Sequence, residues 1–212
     1  MKRIVIFSDS LALPRISPQK TMFEETYPFY LRKNFEIFQF SKGGGLIHDL
    51  VEQANYYSLY NPDIVILHCG IVDCACRAFS HNEELFFASN VFGRILRKLI
   101  SVTITTKRLR NLRKKSWTPL DEFSLNCKRF KDIFHNVPIY ALSILPVSDE
   151  YEKKVPGIRM KVAQYNLLLK QLFEDYFIDL SSIPSDGIME DGHHLTHKGQ
   201  LYVYNKIMEK IR

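Results

Sequence analysis

The stretch Arg3-Ile-Val-Ile-Phe7, followed by the polar turn Ser8-Asp-Ser-Leu11, decides the fold class of this chain. A short run of β-branched residues that ends in a polar turn is typical of a buried strand. Similar runs at 35–40, 63–67, 137–142 and 177–180 alternate with helical spacing of apolar residues at 20–33, 46–57, 120–134, 158–176 and 198–211. This alternation predicts an α/β protein in three layers, α/β/α, with a doubly wound, five-stranded parallel sheet between two layers of helices.

The composition is that of an ordinary globular protein. Of the 212 residues, 46% are hydrophobic and 25% are charged, which excludes disordered and fibrous classes. The longest stretch without Asp, Glu, Lys or Arg, Ile133 to Ser148, is shorter than the ~20 residues of a membrane-spanning helix. The N-terminus lacks the apolar run of a signal peptide. We therefore expect a single cytoplasmic domain over residues 1–212, with its four cysteines as free thiols.

Positive charge is concentrated in one segment of the chain. The net charge is +6, yet residues 85–120 contain no Asp or Glu. The cations of this segment are Arg94, Arg97, Lys98, Lys107, Arg108, Arg110, Arg113, Lys114 and Lys115. Because residues 78–118 are too many for a single crossover between strands, we predict a basic helical insertion there. Its apolar residues recur at helical spacing among the cations, which predicts a helix with one apolar and one basic face.

The basic face of this insertion indicates an anionic partner. The candidates are an acidic saccharide, an anionic lipid surface at the inner face of a membrane, and the phosphates of an acyl-CoA donor. The same face could instead cover the core, pair with a second subunit or remain solvated. A nucleic acid is not expected, because Trp117 alone lies among the cations as a stacking platform.

Polar residues follow each predicted strand, at the edge where function gathers in a parallel sheet. These segments are 8–11, 41–45, 70–73, 144–146 and 191–196. A serine on the first turn, a histidine that accepts its proton, and an aspartate that orients the imidazole predict nucleophilic catalysis. Backbone N–H groups of the serine turn and of the glycine loop at 43–45 would then stabilise the developing oxyanion.

These segments resemble the sequence blocks of the SGNH hydrolases, also called GDSL-type esterases. Ser8-Asp-Ser-Leu11 is similar to the Gly-Asp-Ser-Leu block, which places Ser10 as the nucleophile. Asp191 and His194 match the Asp-x-x-His block. The oxyanion donors implied by the resemblance are the N–H groups of Ser10 and of Gly45, with Gly44 as the alternative glycine.

The resemblance implies the SGNH hydrolase fold, with a flavodoxin-like strand order, and neither a cofactor nor a metal. It implies a serine esterase that removes O-acyl groups, above all O-acetyl groups, from a carbohydrate through an acyl-serine intermediate. We expect Asp9, Asp73 and Arg77 to contact the substrate. The segment 68–77 is similar to a variant found in SGNH proteins of bacterial surface-polysaccharide gene clusters.

One block departs from the family pattern. Val72 replaces the asparagine of Gly-x-Asn-Asp, which donates to the oxyanion, and a valine has no donor. Arg77, with His48 behind it, is the candidate replacement. Two other functions therefore stay open: an O-acyltransferase that passes the acyl group from Ser10 to a sugar hydroxyl, and a catalytically weakened binding protein.

Two weaker alternatives concern single motifs. The glycine loop could bind a nucleotide phosphate, but it lacks the glycine spacing and the lysine of such loops. A metal could bind the cluster Asp191, His193, His194 and His197, since imidazole and carboxylate are ordinary zinc ligands.

Overall fold

Five parallel strands form one sheet. The structure, a computed structural model, describes residues 1–211, with the backbone alone for residues 101, 103 and 107. The strands are β1 (Arg3–Ser8), β2 (Glu36–Ser41), β3 (Ile64–His68), β4 (Ile139–Leu142) and β5 (Phe177–Ile178). Their order is β2-β1-β3-β4-β5, with all pairs parallel. This is the flavodoxin-like, doubly wound order, so the predicted fold class is confirmed.

Helices cover both faces of the sheet. They are α1 (Tyr27–Leu31), α2 (Ile47–Ser58), α3 (Ile71–Cys74), α4 (His81–Ser89), α5 (Val91–Thr103), α6 (Thr106–Arg113), α7 (Leu120–Ile133), α8 (Asp149–Lys154), α9 (Ile158–Phe173) and α10 (His197–Ile211). Alternate strand residues belong to two apolar clusters. Val5 and Phe7 of β1 pack with α2, α7 and α9, whereas Ile4 and Ile6 pack with α1 and α10. Burial on both faces explains why the strands are continuous apolar runs in the sequence.

The helix predicted over residues 20–33 is wrong in its first half. Residues 13–22 form a loop that is closed by an antiparallel bridge between Arg15 and Thr21. A 3-10 turn at Phe23–Glu25 follows, and α1 begins only after the extended residue Thr26. Pro28 occupies the first turn of α1, where its missing N–H is tolerated, but it could not lie within a longer helix.

Residues 78–118, expected as a basic helical insertion, contain α4, α5 and α6. These helices share a small apolar cluster in which Ala78, Phe79 and Phe87 pack against Leu96, Ile100 and Leu109. Arg113 makes two hydrogen bonds to the Glu83 carboxylate. Arg110 donates to Lys154 O at 2.8 Å, which connects the insertion to α8.

The four cysteines are buried and free, as expected from the sequence. Across residues 1–211, no helix combines the length and the apolarity needed to cross a bilayer.

Candidate active site

The turn after β1 holds Ser10 at the edge of the sheet. Asp9 caps this 3-10 turn, because its Oδ1 accepts a hydrogen bond from Leu11 N at 3.0 Å. Gln200 of α10 donates to Leu11 O at 2.9 Å and accepts from Tyr27 N at 3.0 Å. The turn is therefore fixed to both α1 and α10, and a fixed nucleophile is what an acyl-transfer site requires.

A tight loop before α10 carries the histidine and the aspartate. Met189 N donates to His194 O at 2.7 Å, which closes the loop. Gly192 has φ +84°, and a Cβ there would lie 2.7 Å from Tyr151 Cβ of α8. Asp191 Oδ1 accepts hydrogen bonds from the N–H groups of residues 193 and 194, at 3.2 and 3.1 Å. The carboxylate is thus held in place by its own loop.

Two hydrogen bonds connect Ser10, His194 and Asp191. Ser10 Oγ lies 3.0 Å from His194 Nε2, and His194 Nδ1 lies 2.6 Å from Asp191 Oδ2. With the proton on Nδ1, the imidazole donates to the carboxylate, and its Nε2 accepts from the serine hydroxyl. The structure therefore brings together the three residues that the sequence motifs indicated.

The electrostatics of this triad favour a neutral imidazole. Burial lowers the pKa of His194 to about 4, although its hydrogen bond to Asp191 acts in the opposite direction. Burial also acts to raise the pKa of Asp191, but the hydrogen bonds from His194 and from the loop N–H groups outweigh it and hold this pKa below its usual value. At neutral pH the arrangement is a neutral base next to an ionised carboxylate.

Backbone N–H groups near Ser10 decide where an oxyanion could bind. The N–H of Ser10 has no partner among the described hydrogen bonds, as expected at the first residue of a helical turn. Gly45, the glycine favoured by the motif, donates its N–H to Lys42 O at 2.9 Å and is engaged. Gly44, at φ +68°, donates to none of the described backbone acceptors, so its N–H, unlike that of Gly45, is not engaged by them.

Asp9 and Asp73, which we expected to contact the substrate, are completely buried. Asp73 Oδ1 accepts from Ile47 N at 3.0 Å and from Thr118 Oγ1 at 2.5 Å. Burial raises the pKa of Asp9 to about 7 and that of Asp73 to about 6. The expectation is corrected, because both carboxyl groups position the backbone from the interior, Asp9 at the nucleophile turn and Asp73 at the start of α2.

Arg77 lies against the insertion. Its guanidinium stacks on Trp117, 3.7 Å from the ring centroid, and its backbone pairs with that of Lys115. None of the contacts described for residues 1–211 joins this guanidinium to Ser10 or His194. These contacts place Arg77 at the base of the insertion, and its role as a substrate contact or an oxyanion donor stays a prediction.

Val72 and His48 are the two other positions linked to the oxyanion donor that the sequence lacks. They lie in α3 and α2, which follow β3 and β2 at the carboxyl edge of the sheet. Val72 packs its partly buried side chain against the core and offers no hydrogen bond. His48 lies in the first turn of α2, with Nε2 3.7 Å from Asp49 Oδ1. The backbone N–H groups of Ser10 and Gly44 have no acceptor among the described backbone hydrogen bonds, and their role as oxyanion donors stays a prediction.

A groove of about 750 Å³ opens beside Ser10. The loop 13–23 forms most of its lining, together with Gly43. Arg15 and Lys20 are part of this lining, and none of the lining residues is acidic. Neither cation could be singled out from the sequence, because the loop has no periodic spacing and no motif. Their only signal was their position shortly after Ser10.

A further residue that the sequence did not indicate is Tyr151 of α8. Its ring packs on His193, with 5.0 Å between the centroids, and His193 in turn packs on His194 at 4.0 Å. His193 thus covers one side of the catalytic imidazole, and Tyr151 packs behind His193.

Three of the four residues considered as metal ligands lie close together. Donor atoms of Asp191, His193 and His194 lie within 4.8 Å of one another. His197 is directed elsewhere, since its Nε2 lies 2.7 Å from Tyr30 Oη. Because Asp191 and His194 already bond to each other and to Ser10, a metal at this position would have to displace the triad hydrogen bonds.

Comparisons of sequence find no relative. No family model matches the chain, and no curated protein is similar enough in sequence to match.

Comparisons of structure find several similar proteins. A lipase/acylhydrolase from Enterococcus faecalis is 12% identical and superimposes with a TM-score of 0.68, covering 100% of this chain and 95% of that one. A member of the lipolytic G-D-S-L family from Veillonella parvula is 9% identical, with a TM-score of 0.64 over 99% and 97% of the two chains. A catalytic mutant of an acetylxylan esterase from Geobacillus stearothermophilus is 14% identical, with a TM-score of 0.63 over 99% and 94%. The chain therefore has the fold of the GDSL-type, or SGNH, hydrolases that its motifs resemble.

Proposed function

We propose that this protein is a serine ester hydrolase that removes O-acyl groups, above all O-acetyl groups, from a carbohydrate. The observation that carries the proposal is the hydrogen-bonded chain from Ser10 Oγ to His194 Nε2, at 3.0 Å, and from His194 Nδ1 to Asp191 Oδ2, at 2.6 Å. A nucleophile, a base and an orienting group within hydrogen-bond distance constitute the machinery of acyl transfer.

The reaction proceeds in two halves. Ser10 Oγ attacks the ester carbonyl carbon while His194 Nε2 takes the hydroxyl proton, and the N–H groups of Ser10 and Gly44 face the oxyanion. The tetrahedral intermediate breaks its bond to the sugar oxygen, which leaves with the proton from His194. Water, deprotonated by His194, then attacks the acyl-Ser10 ester and releases the free acid and the serine hydroxyl.

A structural similarity supports a carbohydrate ester as the substrate, and a groove next to the nucleophile has room for a ligand. The chain is similar in structure to an acetylxylan esterase, which acts on an acetylated polysaccharide according to its name. The groove beside Ser10, of about 750 Å³, lies within the range of typical ligand sites.

Acetate release tests this proposal directly. The purified protein is incubated with acetylated xylo-oligosaccharides, and free acetate is measured for wild type, Ser10→Ala and the exposed control Ser181→Ala. We expect release by wild type and Ser181→Ala and none by Ser10→Ala. A fluorophosphonate should label Ser10 alone, as located by peptide mass spectrometry.

The same assay separates the other functions. Transfer of acetyl to an added sugar, at the expense of free acetate, would identify an acyltransferase with the same acyl-serine. Failure of both acetate release and Ser10 labelling would exclude catalysis and favour the binding protein.

A further inference from the structure

Helix α5 presents an apolar stripe to solvent. Its members are Val91, Phe92, Ile95, Leu99 and Val102, which are between 54% and 80% exposed. At 100° per residue these positions fall within a sector of about 100°. The stripe is about 17 Å long, since residues 91–102 of a helix extend over that distance.

A different face of α5 makes the contacts with the rest of the insertion. Gly93 is buried against α4, where a Cβ would lie 2.4 Å from Phe86 O. Leu96 and Ile100 pack on the small apolar cluster of the insertion. The exposed stripe is therefore not the side by which α5 is held to the molecule.

Exposed apolar side chains are concentrated in this part of the protein. Among the described residues, eight of the twenty large apolar side chains that are exposed lie within 78–118, about a fifth of the chain. The other three of these eight are Leu85 and Phe86 of α4 and Leu112 of α6. A contiguous apolar patch that is exposed to solvent usually marks an interaction site.

Positive charge borders the stripe. Lys98 and Arg94 lie next to it around the α5 helix, about 20° and 60° from its edge at 100° per residue, and Arg108 is exposed on α6. The acidic residues of the insertion, Glu83 and Glu84, are paired with Arg113 and Arg97, at 2.7 and 3.0 Å. The surface around the stripe consequently has a net positive charge.

We propose that the α5 stripe is a docking surface for a bilayer that contains anionic lipids. An amphipathic helix with an apolar face and bordering cations lies in the headgroup region of such a bilayer, where each cation adds to the attraction. A second copy of the chain is the weaker partner, because a symmetric contact through this face would bring two sets of the same cations together. The inference does not depend on ester hydrolysis, and its test uses no activity.

Co-sedimentation with vesicles tests the docking surface. Wild-type protein is mixed with vesicles of phosphatidylcholine alone or of phosphatidylcholine with phosphatidylglycerol, at low and at high salt. We expect binding to the anionic vesicles at low salt and a marked loss on the neutral ones. The double variant Phe92→Ser/Ile95→Ser should reduce the partition coefficient by about tenfold or more, since two large apolar side chains no longer enter the bilayer.

Matched variants test whether the apolar stripe and the bordering cations both contribute to vesicle binding. Leu201→Ser, which changes an exposed leucine on α10, should bind like wild type. Arg94→Gln/Arg108→Gln keeps the apolar stripe. It should weaken binding to the anionic vesicles and leave binding to the neutral vesicles unchanged. Circular dichroism verifies that each variant is folded.

Three outcomes would overturn the inference. The first is an absence of wild-type binding to anionic vesicles at low salt. The second is unchanged binding of Phe92→Ser/Ile95→Ser, which would leave charge alone as the cause. The third is a wild-type dimer in light scattering that this double variant dissociates, which would assign the stripe to a second copy of the chain.

Discussion

At the scale of single residues, the triad acts as a unit because each member depends on the next. Without His194 the Ser10 hydroxyl keeps its proton, and without Asp191 the imidazole loses its orientation. We expect Ser10→Ala and His194→Ala each to lower kcat by a factor on the order of 10⁴ to 10⁶, and Asp191→Asn to cost less. The double variant Ser10→Ala/His194→Ala should be no worse than either single variant. Additive losses in the double variant would show that the two residues act separately.

The pH profile should report the buried imidazole. His194 must be neutral to accept the proton of Ser10, and burial lowers its pKa to about 4, so kcat/KM should fall only as the pH drops through about 4. His193→Ala removes both a ring that buries His194 and a nearby charge that lowers its pKa. The acid limb of this variant should therefore move to higher pH, whereas the exposed control His135→Ala should leave it in place. An acid limb that stays fixed in His193→Ala would rule out this account of the shift.

Arg15 should influence which esters are accepted. It lines the groove beside Ser10 and lies near enough to Asp191 for their charges to interact. For an acetylated sugar that carries a carboxylate, we expect Arg15→Gln to raise KM by about tenfold, the loss of a single charged hydrogen bond. KM for a neutral acetylated sugar should stay the same, and the exposed control Arg129→Gln should change neither. An equal effect on both substrates would mean that Arg15 shapes the loop and does not bind the charge.

Residues that carry a motif could be predicted from the sequence, and residues defined by their surroundings could not. Ser10, Asp191 and His194 stand at fixed spacings after predicted strands, and the structure brings them together. Asp9 follows the same rule, but its burial depends on how α10 packs over the turn. The choice between Gly44 and Gly45 rests on one turn hydrogen bond, which no composition or spacing indicates.

At the scale of elements, burial decides what could be predicted. The strands were found to within two residues at each end because both faces of the sheet are covered, which leaves continuous apolar runs. Helix α8 was missed since its six residues, Asp149–Lys154, are almost all polar and none is buried. The error over 20–33 arose because apolar spacing continued through a loop that Pro28 and the Arg15–Thr21 bridge exclude from α1.

The base of the insertion provides a test of an element. Arg77 stacks on Trp117 and its backbone pairs with Lys115, so it joins the two ends of the segment 78–118. Arg77→Ala should cost about 1 to 2 kcal/mol of local stability, the worth of a partly desolvated cation–π contact. Hydrogen exchange should then become faster within 78–118 and remain unchanged in β1 and β3. A large loss of kcat without faster exchange would instead support Arg77 as an oxyanion donor.

At the scale of the whole molecule, ionisable groups are enclosed close to the nucleophile. Asp9 and Asp73 are completely buried and raise each other's cost of ionisation, while His68 is buried on the neighbouring strand. Burial lowers the pKa of His68 to about 3. The carboxyl groups and the imidazoles consequently have opposite effects on how stability depends on pH, and only a comparison of variants separates them.

The burial of Asp9 should make the stability of the whole fold depend on pH. The pKa of Asp9 is about 7 in the folded protein and 3.8 in its ordinary state, so between these values the folded chain holds a proton that the unfolded chain has lost. Stability therefore falls as the pH rises from about 4 to about 7, by at most about 4 kcal/mol from this group. Asp9→Asn removes the titration while its side-chain oxygen can still accept the bond from Leu11 N. Measured by urea unfolding, this variant should gain stability relative to wild type between pH 4.5 and pH 8. The control Ser8→Ala, a buried neighbour without a charge, should differ from wild type by the same amount at both pH values, and a constant difference for Asp9→Asn would contradict the raised pKa.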